Sequence, residues 1–145
     1  MRKLLIACAA LALGGAAQAE MWKDYTPGKG TWQVTAMKVD PNHIDDYLLG
    51  LKMTWVPGAE ISKKKGLIDD YKILVSDGVG DQANVLLMQH VTSFANLEPN
   101  QARDQQLEKE IYAATPKARM EAKVGDYEKY REFVSGGNFS EITFK

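Results

Sequence analysis

The chain has 145 residues with 18 basic and 19 acidic side chains, and it contains one cysteine. This length predicts a single domain with a hydrophobic core of its own. The nearly balanced charge argues against nucleic acid as a partner, because nucleic acid needs a basic surface, and against binding to an anionic membrane surface.

The first nineteen residues have the pattern of an export signal. Arg2 and Lys3 precede an apolar run over residues 4–13, and Ala17-Gln18-Ala19 is an A-x-A cleavage site. The apolar run is too short to span a membrane. We therefore predict a signal peptide over residues 1–19, cleaved after Ala19, and a periplasmic protein, with secretion into the medium as the alternative.

A lipoprotein signal cleaved at Cys8 is a rival interpretation, but only four apolar residues precede that cysteine. Cleavage after Ala19 leaves 126 residues, with 16 basic and 19 acidic side chains and a net charge of −3. Because Cys8 leaves with the signal, disulfides, thiolate catalysis and cysteine metal sites are excluded from the mature protein. We expect no membrane insertion after signal removal, since no later stretch is apolar enough to cross a bilayer.

Residues 20–30 are predicted to be a flexible N-terminal lead-in, because they end in Pro27-Gly28-Lys29-Gly30. One domain then covers residues 31–145. Its first strand is predicted over residues 31–39, and alternation divides the apolar side chains between two faces, with Trp32, Val34 and Ala36 on one and Met37 and Val39 on the other.

A long helix is predicted to follow the first strand. Asp40 is suited to cap its free N–H groups, and Pro41 suits the first helical position. Apolar side chains then recur at helical spacing, namely Ile44, Leu48, Leu51 and Trp55. Pro57 interrupts the backbone bonding but the stripe stays in phase, so we predict one kinked helix that stops at Gly66.

The middle of the chain predicts a β-hairpin over residues 69–91. Its strands cover residues 70–76 and 84–91, and the turn between them contains Asp77-Gly78 and Gly80. The second strand is apolar on both faces at its centre, whereas a half-buried strand alternates. We therefore expect this strand to be covered on both sides.

The rest of the chain is predicted to be mainly helical. Helical spacing gives a short turn and two helices, over residues 92–97, 101–114 and 117–134. Arg131 is then the one charge on the apolar stripe of the last helix. Ser135-Gly136-Gly137-Asn138 is predicted to be a turn, and residues 139–144 a final strand.

This order of elements predicts an α+β fold of the ferredoxin-like kind. The pattern is βαββαβ with extra helices between strands 3 and 4, and it forms a four-stranded antiparallel sheet with its helices on one face. The other face then needs cover, because the second hairpin strand is apolar on both sides. A second copy of the chain is the simplest supplier, so we predict a homodimer.

The order of elements resembles that of the dimeric α/β-barrel superfamily, in which a partner covers the free sheet face. The sequence is also similar to small exported bacterial proteins of uncharacterised function. This similarity lies in Trp32-Gln33-Val34, Asp45-Asp46-Tyr47, Trp55, Lys65-Gly66-Leu67-Ile68-Asp69-Asp70-Tyr71-Lys72, Arg131-Glu132-Phe133 and residues 140–145. The superfamily includes cofactor-free monooxygenases, haem-degrading enzymes and stress-responsive proteins, so the resemblance implies no single chemistry.

Two histidines are the candidates for chemistry. His43 falls in the first turn of the predicted helix and is interpreted as a surface residue. His90 ends the second hairpin strand on the face of Leu86 and Met88, where it is a weak candidate for a general base or a haem-iron ligand. The alternative for His90 is a strand-end histidine at the sheet edge. The adjacent Asp69-Asp70 pair is predicted to point to opposite faces and so not to share a proton.

No spacing of histidines and acids predicts a metal site, and we expect no cofactor, with haem as the alternative. Four aromatic side chains project from the long helix and from strands on which it can pack: Trp32, Tyr47, Trp55 and Tyr71. They are interpreted either as core or as the wall of an apolar pocket between helix and sheet, opened at Pro57. Arg131 is predicted either to pair with an acid such as Asp70 or to hold an anionic ligand.

Two functions follow from these residues. The first is an exported domain without a catalytic constellation that binds a small apolar or aromatic molecule as a homodimer. The alternative is an oxygenase-like enzyme, cofactor-free or haem-linked, that uses His90 and a nearby tyrosine.

Overall fold

The computed structural model describes residues 18–77 and 82–145. Within them the strands are β1 (Tyr25–Pro27), β2 (Thr31–Val39), β3 (Ile68–Val75), β4 (Val85–Val91), β5 (Arg131–Phe139) and β6 (Ile142–Phe144). The helices are α1 (Ile44–Lys64), α2 (Gln101–Ala114) and α3 (Lys117–Tyr127), with single 3₁₀ turns at Pro41–His43 and Phe94–Leu97. The chain is therefore an α+β protein with antiparallel sheets.

The main sheet has the strand order β3-β4-β2-β5, and every pairing in it is antiparallel. With α1 between its first two strands and α2 and α3 before its last, this is a ferredoxin-like arrangement. The predicted hairpin is confirmed as β3 and β4, while most of its turn lies outside the described residues. A separate two-stranded sheet pairs β1 with β6.

The start and the end of α1 follow from features that its sequence shows. Asp40 accepts a hydrogen bond from the Asn42 N–H and opens a 3₁₀ turn, from which α1 continues. Pro57 lies inside α1 without ending it, which confirms one helix rather than two. After Lys65, Gly66 has a left-handed φ of +70°. Helices often end at a residue in this conformation, and glycine adopts it without the steric cost that a Cβ atom would bring.

The core lies between the helices and one face of the sheet. Tyr47 and Leu51 of α1 are almost fully buried against sheet residues that alternation places on the same side, namely Met37, Val39, Val85 and Leu87. Tyr127 of α3 joins this cluster. Its ring crosses α1 closely at Gly50, where a Cβ atom would lie 2.6 Å from Tyr127 Cδ1.

Three predictions for the end of the chain are wrong. α3 ends at Tyr127 rather than continuing to residue 134. The predicted turn at residues 135–138 lies within β5, and the fourth strand of the main sheet is β5 rather than residues 139–144. Residues 142–144 form β6, which pairs with β1 inside the segment predicted as a lead-in.

Candidate functional site

One face of the main sheet has none of the described helices on it, and we call it the open face. Trp32, Val34 and Ala36 of β2 lie there beside their β4 partners His90, Met88 and Leu86. Leu74 of β3 and Phe139 of β5 extend it on either side, and their side chains are 47% and 57% exposed. The open face is therefore apolar and partly exposed, with Trp32 and Ala36 nearly buried at its centre, and exposed apolar patches of this kind often mark interaction or ligand sites.

An apolar cleft of about 530 Å³ lies on the open face. Its walls come from all four strands of the main sheet and from the bend that follows β5. The lining residues are Trp32, Val34, Lys72, Leu74, Leu86, Met88, Phe139, Ser140 and Glu141.

A polar cavity of about 390 Å³ adjoins this cleft at the end where β4 finishes. It shares three residues with the apolar cleft, namely Trp32, Lys72 and Glu141, and adds Lys29, Asp69, Asp70 and His90. The two cavities thus form one site with an apolar body and a charged end.

Trp32 is held rigidly at the junction of the two cavities. Its indole Nε1 donates a hydrogen bond to Glu141 Oε1 at 2.9 Å. The Lys72 ammonium lies 4.5 Å from the centre of its ring, and the His90 ring lies 4.9 Å from it. A tryptophan with these contacts and 8% exposure presents a fixed wall to a ligand.

His90 is paired with Asp69 by a hydrogen bond of 2.6 Å from Nδ1 to Oδ1. Because the Asp69 carboxylate can only accept, Nδ1 donates in this bond, and in the neutral imidazole Nε2 is then the accepting nitrogen. The His90 side chain is only 16% exposed, whereas that of Asp69 is 57% exposed. Gly30 packs on the ring, since a Cβ atom there would lie 3.1 Å from His90 Cε1.

A β-bulge gives Asp69 this position. The pairing of β3 with β4 shifts between Ile68 and Asp70, so Asp70 is opposite His90 and Asp69 is the extra residue. Both carboxylates consequently line the polar cavity. The prediction that they point to opposite faces is wrong, because it assumed a regular strand.

The predicted pocket residues do not all lie on this face. Trp55 of α1 and Tyr71 of β3 meet on the helix side of the sheet, with ring centres 5.6 Å apart. The Tyr71 hydroxyl donates to Glu60 at 2.6 Å, and this bond is the main reason why the pKa of Tyr71 is raised above 10. Trp32, on the opposite face, cannot share a pocket with this pair.

Tyr47 lies in the core, in edge-to-face contact with Tyr127 at 5.2 Å. Burial raises the pKa of Tyr47 above its ordinary value of 10.0, and the nearby Arg131 guanidinium works against that rise. The Tyr47 hydroxyl has no partner at hydrogen-bonding distance among residues 18–77 and 82–145, so we take the influence of Arg131 as electrostatic.

Arg131 begins β5 rather than belonging to α3, and it lies 4.6 Å from the centre of the Tyr127 ring. Its carboxylate neighbour is Glu128, at 3.8 Å. Asp70, the partner suggested from the sequence, instead lies near Lys63 and Lys72.

A separate cavity, of about 470 Å³, lies between the helices and the sheet, and we call it the helix-side groove. Of the predicted pocket residues only Trp55 lines it, together with Gly58, Gln89, Leu107, Ile111, Tyr112 and Met120 among others. His43 lies elsewhere, stacked on Tyr130 at 4.5 Å and close to Asp46.

The sequence matches no protein-family model and no curated protein. Among solved structures it is similar to a NIPSNAP family protein of unknown function from Agrobacterium tumefaciens strain C58. The identity is 11%, the match covers 81% of this chain and 90% of the other, and the TM-score is 0.44. A second crystal structure of the Agrobacterium protein gives 12% identity, 78% and 90% coverage and a TM-score of 0.41. Likeness at this level assigns no activity to the chain.

The remaining structural features bear on partners and cofactors. In the part of the chain that the structure describes, no helix is long and apolar enough to cross a membrane. Over the same residues, no group of three or more histidine, cysteine, aspartate or glutamate side chains is placed to hold a metal ion. The residues that line the open face supply an imidazole, carboxylates, ammonium groups and an apolar wall.

Proposed function

We propose that this protein is an exported domain that binds a small apolar or aromatic molecule on its open face and works as a homodimer. The observation that carries the proposal is the apolar cleft with its charged end. Ligand sites are usually concave, mostly apolar and about 300–1,000 Å³ in volume, with a few polar groups that orient the ligand. The cleft and the polar cavity together have this volume and this composition, and both are wide open to solvent in the single chain.

The same surface supports the homodimer. Leu74 and Phe139 are about half exposed on the open face, and they lie beside Val34, Leu86 and Met88. A second copy that packs its own open face here buries both surfaces at once, as a two-fold interface does. This is the arrangement of the dimeric α/β-barrel type, and it leaves the ligand enclosed between two sheets.

Ligand binding is tested by thermal shift against a broad panel of aromatic and lipid molecules. We expect at least one compound to raise the melting temperature, since a ligand that binds only the folded state stabilises it. Met88→Gln on the open face should abolish the shift. Leu107→Gln in the helix-side groove is the matched control and should keep it. If no compound shifts the wild type, ligand binding is wrong and a structural role remains.

Export is tested by expressing the full chain in a Gram-negative host and measuring the mass of the protein released from the periplasm. We expect an N-terminus at Glu20, because Ala17-Gln18-Ala19 is the cleavage pattern. Processing at Cys8 with added lipid would instead identify a lipoprotein. An uncleaved chain in the cytoplasm would contradict the proposal.

The hydrogen bond between His90 and Asp69 favours a second candidate, an oxygenase-like enzyme of the same superfamily. A histidine whose Nδ1 is held by a carboxylate offers Nε2 as a general base beside an apolar substrate cleft. Among the described residues His90 makes no other hydrogen bond, so Nε2 is available. The tyrosine suggested from the sequence is not part of this site, since Tyr71 lies on the other face of the sheet.

The haem-linked version of this enzyme would use the same atom. His90 Nε2 would hold the iron, with Asp69 orienting the ring, and the iron would supply the oxygen chemistry. Adding haemin should then give a Soret band that His90→Ala abolishes and that Asp69→Asn shifts. If no band forms, the haem-linked version is wrong, and a cofactor-free enzyme would have to show His90-dependent oxygen uptake with a compound from the panel.

A further inference from the structure

The two ends of the described chain form an arm beside the open face. We call β1, β6 and their flanks, residues 21–29 and 140–145, the terminal arm. Tyr25 pairs with Phe144, and Pro27 pairs with Ile142, so these four side chains share one side of the ribbon. Thr26 and Thr143 lie on the other side.

The apolar side of the terminal arm is uncovered. Phe144 is 79% exposed and Ile142 is 48% exposed, while Met21 and Trp22 at the start of the arm are 52% and 63% exposed. A lone two-stranded ribbon is marginally stable in water unless a third element packs on it. β1 and β6 form a sheet of two strands, extended by a single bridge from Met21 to Tyr25, and Ile142 and Phe144 stay exposed on its apolar side.

Hydrogen bonds nevertheless hold the arm in one shape. The Gly28 N–H donates to the Glu141 carbonyl at 2.8 Å, and the Lys145 N–H donates to the Asp24 carbonyl at 3.1 Å. The Lys145 ammonium also donates to the carbonyl of Trp22. A preformed arm loses little conformational entropy when it docks on another surface.

The arm cannot close the cleft of its own chain. Its base borders that cleft, since Glu141 lines it and accepts the hydrogen bond from Trp32. Successive side chains of an extended strand point to opposite sides. Glu141 faces the cleft, and Ile142 and Phe144 alternate with the residues on its side of the strand. The side chains of Ile142 and Phe144 therefore point away from the cleft.

We propose that the terminal arm docks on the open face of a second copy, so that Ile142 and Phe144 of one chain complete the ligand cleft of the other. The proposal rests on the homodimer proposed above and names what closes its site. Each copy has one uncovered apolar arm and one uncovered apolar face. A two-fold axis lets both arms and both faces be buried in a single closed interface.

Charge favours a second copy over a lipid surface as the occupant. Residues 20–29 and 140–145, which are the arm and the residue that precedes it, carry Lys23, Lys29 and Lys145, and these are balanced by the acids Glu20, Asp24 and Glu141. A segment without net charge gains no attraction to anionic lipid, whereas membrane-bound segments are typically rich in lysine and arginine. The centre of a protein interface, by contrast, is depleted in charge and enriched in aromatic and other apolar side chains.

The decisive variant is Ile142→Ser with Phe144→Ser, and its matched control is Thr26→Ser with Thr143→Ser on the opposite side of the ribbon. Oligomeric state is measured by sedimentation, and cleft binding by the fluorescence of N-phenyl-1-naphthylamine, an uncharged apolar probe. We expect the first variant to raise the dimer dissociation constant by about tenfold or more, since buried aromatic anchors dominate interfaces. Its probe affinity should fall in parallel, while the control matches the wild type.

A crosslink provides a readout that does not depend on how well the double variant folds. Both copies carry Cys8→Ser, because Cys8 is the only cysteine in the chain. One copy also carries Phe144→Cys and the other Met88→Cys, and oxidation of the mixture should give a disulfide-linked heterodimer. The matched control replaces Phe144→Cys by Thr143→Cys, which should crosslink poorly.

The possible results separate this inference from the proposed function. A double variant that stays dimeric and binds the probe as before, together with no crosslink between the Phe144→Cys and Met88→Cys chains, overturns the docked arm but leaves ligand binding in place. A wild type that is monomeric at high concentration and does not bind the probe overturns both. Wild-type binding to phosphatidylglycerol vesicles that the double variant loses, without a change in oligomeric state, would make the arm a lipid contact and also overturn the inference.

Discussion

The two faces of the main sheet are made by the same strands but meet different surroundings. On the helix side, Val39 and Val85 are 1% and 0% exposed beneath α1. On the open face, Leu74 and Phe139 are 47% and 57% exposed. The difference shows that apolar residues on both faces of a strand indicate a need for cover, but not which part of the molecule supplies it. Along the central strands β2 and β4 the chain buries the apolar side chains of the helix side, and those of the open face only in part. The edge strand β3 exposes apolar side chains on both faces, since Val75 on the helix side is as exposed as Leu74.

The largest expected effect separates the faces directly. Leu51→Ala empties a fully buried position on the helix side and should lower the free energy of unfolding by about 2–5 kcal/mol. Leu74→Ala on the open face should cost less than about 1 kcal/mol in dilute protein. Urea unfolding measures both. If the loss in free energy of unfolding caused by Leu74→Ala grows with protein concentration, a second copy covers this face. If Leu74→Ala destabilises the dilute protein as much as Leu51→Ala does, the two faces do not differ as described.

Two glycines in the helix layer give the next largest difference. Gly50→Ala places a Cβ atom 2.6 Å from the Tyr127 ring and should destabilise the protein by about 1–3 kcal/mol. Gly125 has nothing within 4 Å of its Cβ position, so Gly125→Ala in α3 should stabilise it by up to about 1 kcal/mol. Thermal and urea unfolding test both changes. Equal effects would mean that Tyr127 does not pack against α1 this tightly.

Tyr47→Phe probes the one buried hydroxyl of the helix-side core that has no hydrogen bond in the described chain. Removing it should leave stability at pH 7 unchanged or raise it by about 1 kcal/mol. Because burial raises the pKa of Tyr47, the unfolded chain ionises first, and the wild type should lose stability as the pH rises above 10.0. The Tyr47→Phe variant has no hydroxyl to ionise, so its stability relative to the wild type should increase as the pH rises above 10.0. A clear loss of stability at pH 7 would reveal a hydrogen bond to the hydroxyl.

The smallest expected effect lies at the surface of the helix layer. Lys65 donates to Glu110 at 2.8 Å, and this bond, helped by Gln106, lowers the pKa of Glu110. A lowered carboxyl pKa gives stability above the ordinary value of 4.5 that is lost as the pH falls through the folded-state value. Glu110→Gln should therefore lower the melting temperature slightly at pH 7 and not at low pH. Glu108→Gln, a neighbour on α2, is the control.

Much of the fold could be predicted because local rules and packing agree. β2 begins and ends as alternation predicts, and α2 spans its predicted residues. For α1 the cap at Asp40, the apolar stripe and the stop at Gly66 all point to the same helix. The hairpin strands were recognisable from their β-branched and apolar residues. α1 buries the side that its pattern marks as apolar, whereas the apolar side of α2 is only partly buried.

β5 could not be recognised because its glycines serve packing rather than a turn. Gly136 and Gly137 lie within the strand, and aromatic rings occupy the space that side chains would fill. The Phe133 ring lies 3.5 Å from the Cβ position of Gly136, and the Phe139 ring lies 3.4 Å from that of Gly137. Such cover of strand glycines by neighbouring aromatics stabilises an edge strand. This cover by aromatic rings leaves no periodic pattern in the sequence of β5. Tyr127 and Arg131, by contrast, happen to continue the helical spacing of α3.

Part of the candidate site was accessible from the sequence. Placing His90 on the face of Leu86 and Met88 needed only alternation, and Trp32 was assigned to the right strand. The role of Asp69 depends on the bulge, which shifts the register of β3 by one residue and is not encoded by any proline or glycine there. The roles of Lys29 and Glu141 depend on the terminal arm, whose strands are only three residues long.

Asn84 aligns the sheet just before β4 begins. Its side-chain amide accepts from the Val39 N–H at 2.8 Å and donates to the Val39 carbonyl at 2.7 Å, while its own N–H donates to the Met37 carbonyl. A carboxamide thus replaces a peptide group at the end of β2. A slip of β4 along β2 by one residue, which would turn His90 to the helix side, would therefore also break both bonds between the Asn84 side chain and Val39.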